Sequence, residues 1–209
     1  MTNPVFTIGH STHSQAVLIK LLRTHGVNAV ADVRSTPYSR MNPQFNREPL
    51  KEALSSAGIK YVFLGKELGA RSEDPCHYVA GKVQYERLAQ STIFREGLSR
   101  VISGASRYRI ALLCAEKDPL DCHRTILVSR ELVRKQVAVA HILADGILET
   151  HSAAVRRLLN RFGMRTSELF RSNDELVDEA YARQSDAIAY TIPNSNDAAR
   201  TVGGANGRR

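Results

Sequence analysis

Over the first 150 residues, short apolar runs alternate with longer segments whose apolar residues recur every three or four positions. The short runs are bounded by turn-forming or charged residues, which is typical of buried strands. The longer segments have one apolar face, which is typical of helices packed on a sheet. The predicted strands are residues 5–10, 27–34, 59–65, 107–116 and 137–143. The predicted helices are residues 14–24, 48–58, 85–102 and 123–135.

Repeated alternation of strand and helix predicts the α/β class. We expect a three-layer fold with a parallel, or mostly parallel, sheet of about five strands and helices on both faces. Residues 1–150 are expected to form this core domain and to carry the functional site. Residues 151–190 contain two further amphipathic segments, which predict a C-terminal helical extension. Residues 191–209 are polar and glycine-rich, and are expected to form a flexible tail.

Composition places the chain among ordinary globular proteins, with 43% hydrophobic and 24% charged residues. Its start lacks a secretory signal, and no apolar run reaches the length of a membrane span. Three cysteines are too few for a disulfide scaffold, so we expect a cytoplasmic protein with reduced thiols. The net charge of +8 weakly favours anionic partners, either small molecules or nucleic acid. The C-terminal helices also allow a homodimer.

Polar residues are concentrated where the predicted strands end. Because the carboxyl ends of parallel strands share one edge of the sheet, these residues should meet in one crevice. The first strand ends at residues 9–11, the second at 32–34 and the fourth at 114–116, and a loop continues from the second strand to Arg40. The fifth strand contributes His141.

The densest group of reactive residues follows the fourth strand, at the predicted start of a helix. Free N–H groups at a helix start favour an anion and lower the pKa of a nearby thiol. We therefore predict one site with two functions. The predicted catalytic residues are Cys114, Glu116, Cys122, His123 and His10. The predicted anion-binding residues are Arg34, Arg40, Arg124, Ser11 and Asp32.

Structural roles remain the alternatives for several of these residues. Asp121 is expected to cap the helix, because that preference is strong. Cys114 is a small apolar residue suited to a core, and Glu116 is a partner for Arg124. Asp32 and Arg34 are also expected to pair and to hold the loop that follows them.

A metal site is a rival interpretation, since thiols, imidazoles and carboxylates are all ligands. The paired Cys-x-x-Cys spacing of structural zinc sites is absent, so we assign no residue to a metal and leave the cofactor open. Spacing also separates this chain from cysteine phosphatases and sulfurtransferases. The interval from Cys114 to Arg124 is too long for their anion loop, and that from Cys122 to Arg124 is too short.

The segments GHS, DVRSTPYSR, YVFLGKELGAR and CAEKDPLDCHR occur together in residues 9–124. In this combination the chain resembles the bacterial family catalogued as domain of unknown function 488, over about residues 5–148. The resemblance implies a shared site made of the ten residues named above, but it supplies no substrate. The hypothesis is an enzyme acting on an anionic, phosphate-bearing or nucleotide-like ligand. The alternatives are a non-catalytic nucleic-acid-binding module and a metal-binding protein.

Overall fold

The computed structural model describes residues 3–164 and 171–193. Within these residues eight strands form two sheets. They are β1 (Val5–Gly9), β2 (Ala29–Asp32), β3 (Lys60–Phe63), β4 (Tyr78–Val79), β5 (Lys82–Val83), β6 (Ile110–Cys114), β7 (Val139–Ile142) and β8 (Leu148–Thr150). The predicted tail lies largely outside the described residues, since only 191–193 of it are included.

The main sheet has the order β3-β2-β6-β1-β7-β8. Its first five strands are the five predicted ones, and neighbouring strands among them pair in parallel. The sixth, β8, runs antiparallel to β7 at the edge. The predicted fold class is therefore confirmed, with six strands rather than about five. A strand of three residues is too short to give a periodic signal, which is why β8 was not predicted.

Eight α-helices lie in the described part of the chain. They are α1 (Gln15–Thr24), α2 (Arg47–Ser56), α3 (Gly65–Leu68), α4 (Tyr85–Gln90), α5 (Thr92–Ala105), α6 (Arg130–Arg134), α7 (His151–Arg161) and α8 (Asn173–Ile188). Short 3-10 helices occupy Pro43–Phe45, Pro75–His77 and Pro119–Asp121, and a π-helical turn occupies Arg124–Ser129.

Two predicted helices differ from the observed ones. The segment 85–102 is divided at Ser91, whose backbone is extended and whose hydroxyl accepts a hydrogen bond from the amide of Phe94. Ser91 is thus an N-cap, which begins a new helix. The segment 123–135 begins as the π-helical turn before it becomes α6. Single π-helical turns are rare and often occur at functional sites.

Alternating residues of the strands build two apolar layers, one on each face of the sheet. In β6, Ile110 and Leu112 belong to the larger layer, whereas Ala111 and Leu113 belong to the smaller one. Helices α1 and α2 cover the smaller layer. The larger layer also contains Cys114, and α5 covers it together with several of the other helices.

The C-terminal helices pack on the larger layer of the same chain. Leu158 of α7 and Leu176, Ala180 and Tyr181 of α8 are all buried in it. Their apolar faces are therefore covered by the chain's own core. No helix in the described residues is both long and apolar enough to span a bilayer.

Candidate functional site

The site is built around the loop that joins β6 to the π-helical turn. Arg124, which is fully buried, donates from Nη1 to the main-chain carbonyl of Glu116 at 2.9 Å and from Nη2 to that of Lys117 at 3.4 Å. These bonds fold the loop back on itself. As a result the end of β6, at Cys114, lies beside the start of the next helix, at Cys122 and His123.

The close approach of β1 to this loop requires a glycine. A Cβ atom placed on Gly9 would lie 1.8 Å from the carbonyl oxygen of Glu116, well inside van der Waals contact. The amide of His10, which follows, donates to the carbonyl of Cys114 at 2.9 Å. The first strand is thereby fixed against the loop that carries the thiols.

The expected capping role of Asp121 is wrong. Its carboxylate pairs with Arg161 instead, and Asp118 caps the short helix Pro119–Asp121 by accepting from the amide of Leu120. Cys122 has an extended backbone and ends the short helix Pro119–Asp121, and its carbonyl accepts from the amides of Thr125 and Ile126 in the π-helical turn. Its Sγ accepts a hydrogen bond from the amide of Arg124 at 3.4 Å.

Two thiols and an imidazole form a compact cluster. His123 Nδ1 lies 3.7 Å from Cys114 Sγ and 3.8 Å from Cys122 Sγ, and all three atoms lie within 4.8 Å of one another. Nε2 of His123 lies 3.0 Å from the carbonyl oxygen of Val33. A carbonyl only accepts, so Nε2 carries a proton and donates it. In the neutral ring, Nδ1 therefore presents its lone pair to both sulfurs.

The electrostatics of the two thiols differ. Burial and the hydrogen bond with Cys122 raise the pKa of Cys114 well above its ordinary value. Burial also opposes ionisation of Cys122, but its hydrogen bond with Cys114 and the charges of Arg124 and His123 lower its pKa well below the ordinary value. Burial opposes protonation of His123 as well, but Cys122 raises the pKa of the imidazole overall. Ionisation is thus easier at Cys122 than at Cys114.

A cavity of about 270 Å³ lies next to the cluster. Its walls come from β6 and the loop after it, from the loops after β2 and α3, from the start of α4, and from the end of α8 and the segment after it. The lining residues used below are Arg34, Arg71, Cys114, Glu116, Cys122 and His123, with Tyr85, Ile188 and Tyr190. The aromatic ring of Tyr190 lies under the guanidinium of Arg71, 4.5 Å away.

Arg34 is held in place by Asp32 and His10. Its Nε and Nη2 donate to the two carboxylate oxygens of Asp32 at 2.9 and 2.6 Å, and Tyr61 donates to the same carboxylate. Its Nη1 lies 3.3 Å from His10 Nε2. Since arginine only donates, His10 Nε2 is an acceptor, and its Nδ1 donates to the carbonyl of Ser11. Burial lowers the pKa of His10 to about 4, which agrees with a neutral ring.

The structure brings most of the predicted site residues together, though not all line the cavity. Arg34, Cys114, Glu116, Cys122 and His123 do. Asp32 and His10 lie behind Arg34, one hydrogen bond away.

Three predicted anion ligands lie elsewhere. Arg124 is buried and its guanidinium is directed at main-chain carbonyls, while Arg40 is exposed on the loop after β2. Neither is among the described residues that line the cavity. Ser11 lies in a turn with a positive φ of 48° and donates its amide to the carbonyl of Ala115, so it shapes the loop.

Arg71, Tyr85 and Tyr190 are cavity residues that the sequence analysis did not identify. Arg71 ends the segment YVFLGKELGAR, which was part of the resemblance, so a signal for it was present. Tyr190 had no such signal, because it reaches the cavity only through the packing of α8 and the pairing of Val83 with its carbonyl.

Comparison with known proteins identifies the family. A family model described as "Domain of unknown function DUF488" matches residues 14–130, more than half of the chain. The chain belongs to this family. The matched region includes the cluster and both cavity arginines, whereas His10 and Tyr190 lie outside it. Searches of curated proteins and of solved structures gave no significant match.

Proposed function

We propose that this protein is an enzyme that binds an anionic, phosphate-bearing or nucleotide-like small molecule in the 270 Å³ cavity and acts on it there. The proposal depends on one observation. Two arginines share the cavity with two thiols, an imidazole and the carboxylates of Glu116 and Asp121, and these groups come from distant parts of the chain. Convergent polar groups with shifted pKa values in one cavity are typical of active sites.

Arg34 and Arg71 bind the anion in this proposal. The bonds of Arg34 to Asp32 and His10 use three of its five guanidinium N–H groups, so two are left for a ligand. The bidentate contact with Asp32 also fixes the orientation of the guanidinium in advance. The side chain of Arg71 is exposed, and its guanidinium stacks on the ring of Tyr190. The planar donor fork of arginine suits phosphate and carboxylate groups.

The cluster of Cys114, Cys122 and His123 is the reactive centre, and Glu116 is the proton-transfer group. Glu116 is the most accessible of these, with 45% of its side chain exposed, so it can exchange protons with solvent or ligand. Arg124 acts as a positioning residue, since it holds the loop and adds positive charge beside Cys122.

Binding of phosphate-bearing ligands tests the first half of this proposal. Isothermal titration at low salt would compare inorganic phosphate, nucleotides and sugar phosphates. We expect Arg71→Ala to weaken binding by roughly tenfold, which corresponds to about 1.4 kcal/mol. Arg40→Ala is the matched control, because Arg40 is exposed outside the cavity and should not change the affinity. If no such ligand binds, or if the two variants behave alike, the proposed anion site is wrong.

Turnover of the ligands that bind tests the second half. Mass spectrometry of the bound ligands after incubation would detect any chemical change. Glu116→Gln and Cys122→Ser should abolish turnover, whereas Cys76→Ser, at an exposed cysteine, should retain it. Ligands that bind tightly and stay unchanged with the wild-type protein would show a binding module instead of an enzyme.

Nucleic-acid binding is the second candidate, favoured by the net charge of +8. Several of the basic residues that suggested it are paired. In α7, Arg157 contacts Asp118 and Glu149, and Arg161 contacts Asp118 and Asp121. A larger groove between α4, α6 and α8 has similarly paired cations, such as Lys82 with Asp186. A steep salt dependence of single-strand or duplex binding would favour this candidate, and no binding at low salt would exclude it.

A further inference from the structure

We infer that Cys114, Cys122 and His123 together bind one thiophilic divalent metal ion of the Zn²⁺ class at the wall of the cavity. The inference extends the proposed function. It rests on that function only for the identity of the anionic ligand that the metal would contact in the cavity. The three residues are buried, with exposed fractions of 3%, 1% and 8%.

The spacing of the three donor atoms fits a tetrahedral metal. With Zn–S of about 2.3 Å and Zn–N of about 2.0 Å, tetrahedral geometry places sulfur and nitrogen about 3.5 Å apart and two sulfurs about 3.8 Å apart. The observed distances from His123 Nδ1 to the sulfurs are 3.7 and 3.8 Å, and the sulfurs lie within 4.8 Å of each other. A shift of about 1 Å or less would complete the geometry.

His123 is oriented as metal-bound histidines are. Its Nε2–H donates to the carbonyl of Val33, which fixes the ring and leaves the Nδ1 lone pair facing the sulfurs. Metal-ligating histidines almost always donate their other ring N–H to a carbonyl or a carboxylate. The amide of Arg124 donates to Cys122 Sγ, which is a suitable outer contact for a metal-bound thiolate.

Charge balance also suits a dication. On binding, the two thiols release their protons, and two thiolates with a neutral imidazole form an uncharged centre with M²⁺. An uncharged centre is the form that a buried position tolerates best. Soft sulfur donors select Zn²⁺ over Mg²⁺ or Ca²⁺.

The residue types predict a catalytic rather than a structural site. Structural zinc sites have four protein ligands, whereas catalytic ones have three and keep a position for water or substrate. Here three donors line the same cavity as Arg34 and Arg71. A metal at this place would polarise an oxygen of a bound anion or activate a water next to it.

The sequence alone did not favour this site, because Cys114 and Cys122 lack the spacing of known zinc motifs. They come together in the folded chain, where Arg124 donates to the carbonyls of Glu116 and Lys117 in the loop between them.

Cobalt substitution tests the inference on the full chain. Purified protein would be stripped with a chelator, reloaded with Co²⁺ alone and examined by absorption spectroscopy, with elemental analysis of the protein as first purified. We expect one metal ion per chain and an intense thiolate-to-cobalt charge-transfer band in the near ultraviolet. Cys114→Ser and Cys122→Ser each remove one of the two thiolates, so each should weaken the band at saturating Co²⁺ and bind Co²⁺ roughly a hundredfold more weakly, or worse.

Cys76→Ser is the matched control. Cys76 belongs to a second group of possible ligands, with Asp74 and His77, which lies outside the cavity. If Cys76→Ser removes the band, or if the wild-type chain binds no Co²⁺ and contains no metal, the inference is wrong. Circular dichroism would show whether each variant is folded.

If a cysteine variant fails to fold, a second measurement still tests the inference, namely whether metal protects the thiols from alkylation. In the Cys76→Ser background, Co²⁺ or Zn²⁺ should slow alkylation of the remaining two thiols at least tenfold, since both are ligands. Equal alkylation rates with and without metal would contradict the inference. Failure of phosphate binding alone would not, because it concerns Arg34 and Arg71.

Discussion

Two buried groups containing histidine lie on the same face of the sheet, and they are built differently. The first is the cluster of Cys114, Cys122 and His123 beside the cavity. The second is a hydrogen-bonded chain that runs from the central strand β1 to the C-terminal helix α8. We call it the histidine chain, and it consists of Thr7, His141, His151 and Tyr181.

Every ring nitrogen of the histidine chain has a protein partner. Thr7 Oγ1 lies 2.8 Å from His141 Nδ1, His141 Nε2 lies 3.1 Å from His151 Nδ1, and His151 Nε2 lies 2.9 Å from the hydroxyl of Tyr181. All four residues are buried. The expectation that His141 lies at the functional edge is wrong, since its ring points into the core.

The comparison shows what distinguishes a site from a structural polar network. In the histidine chain the hydrogen-bonding capacity is met within the protein, so the network stabilises one packed state. In the cluster, His123 Nδ1 has only two long contacts with sulfur, at 3.7 and 3.8 Å, and the cluster lies next to a cavity. Weakly bonded polar atoms beside a cavity make the cluster a candidate site, whereas burial of a histidine alone does not.

The largest expected effect is the loss of stability on His141→Ala. The change leaves a hole in the core and two unpaired polar groups, on Thr7 and His151, so we expect a loss of about 3–5 kcal/mol in the free energy of unfolding. Urea denaturation measures it. Tyr181→Phe removes only the hydroxyl at the end of the chain and should cost about 1 kcal/mol. Equal effects of the two substitutions would show that the chain is not structural.

Acid pH should act on the histidine chain next. Burial lowers the pKa of His151 to about 4, and burial and the charge of His151 lower that of His141 well below its ordinary value. Below about pH 6.5, both rings therefore gain a proton more readily in the unfolded chain than in the folded one. Stability is therefore complete above about pH 6.5 and falls as the pH is lowered toward 4.

The loss from His151 alone is on the order of 3 kcal/mol once the pH is below 4. Denaturation curves at a series of pH values would show it, and His151→Gln should reduce the pH dependence. A stability that does not change over this pH range would contradict the neutral chain.

Removal of metal should affect only the cluster. If a metal is bound at about one hundred times its dissociation constant, a chelator should lower the free energy of unfolding by about 3 kcal/mol. Thermal denaturation with and without chelator measures the difference. His141→Ala should respond to the chelator as the wild type does, whereas Cys114→Ser should not respond. A chelator response that survives in Cys114→Ser would place the metal elsewhere.

The smallest effect is expected for Arg157→Met, which removes partly exposed ion pairs next to the loop that carries the candidate site. Arg157 pairs with Asp118, the cap of the short helix that leads to Cys122, and with Glu149. Since 38% of the Arg157 side chain is exposed, the cost should be about 1 kcal/mol and should shrink at high salt. Arg156→Met, at the exposed neighbouring position, is the control and should cost less. Equal costs for both would show that the pairs contribute nothing.

Much of the fold could be predicted because it depends on local periodicity. Four of the five parallel strands bury an apolar run, β3 at the edge of the sheet is only partly covered, and the amphipathic segments form the helices between them. The division at Ser91 and the strand β8 were missed, since a cap inside an apolar pattern and a three-residue strand carry little periodic signal.

The candidate site was predictable in part for a related reason. Parallel strands place their ends at one edge, so Arg34 and Cys114 could be expected in one crevice from the sequence. The roles of individual arginines could not. Arg124 and Arg71 are the same residue type, yet Arg124 is buried and donates to main-chain carbonyls, whereas Arg71 is exposed at the cavity.

The sequence by itself determined the fold class, the family and the edge of the sheet at which reactive residues gather, because each follows from patterns along the chain. Only the tertiary structure decided which residues share the cavity and how their donors point. Those properties depend on distances of a few ångströms between distant segments, such as Gly9 and Glu116, His123 and Val33, and Arg71 and Tyr190. Periodicity carries no information at that scale, since it fixes which face a side chain occupies and not what it meets there.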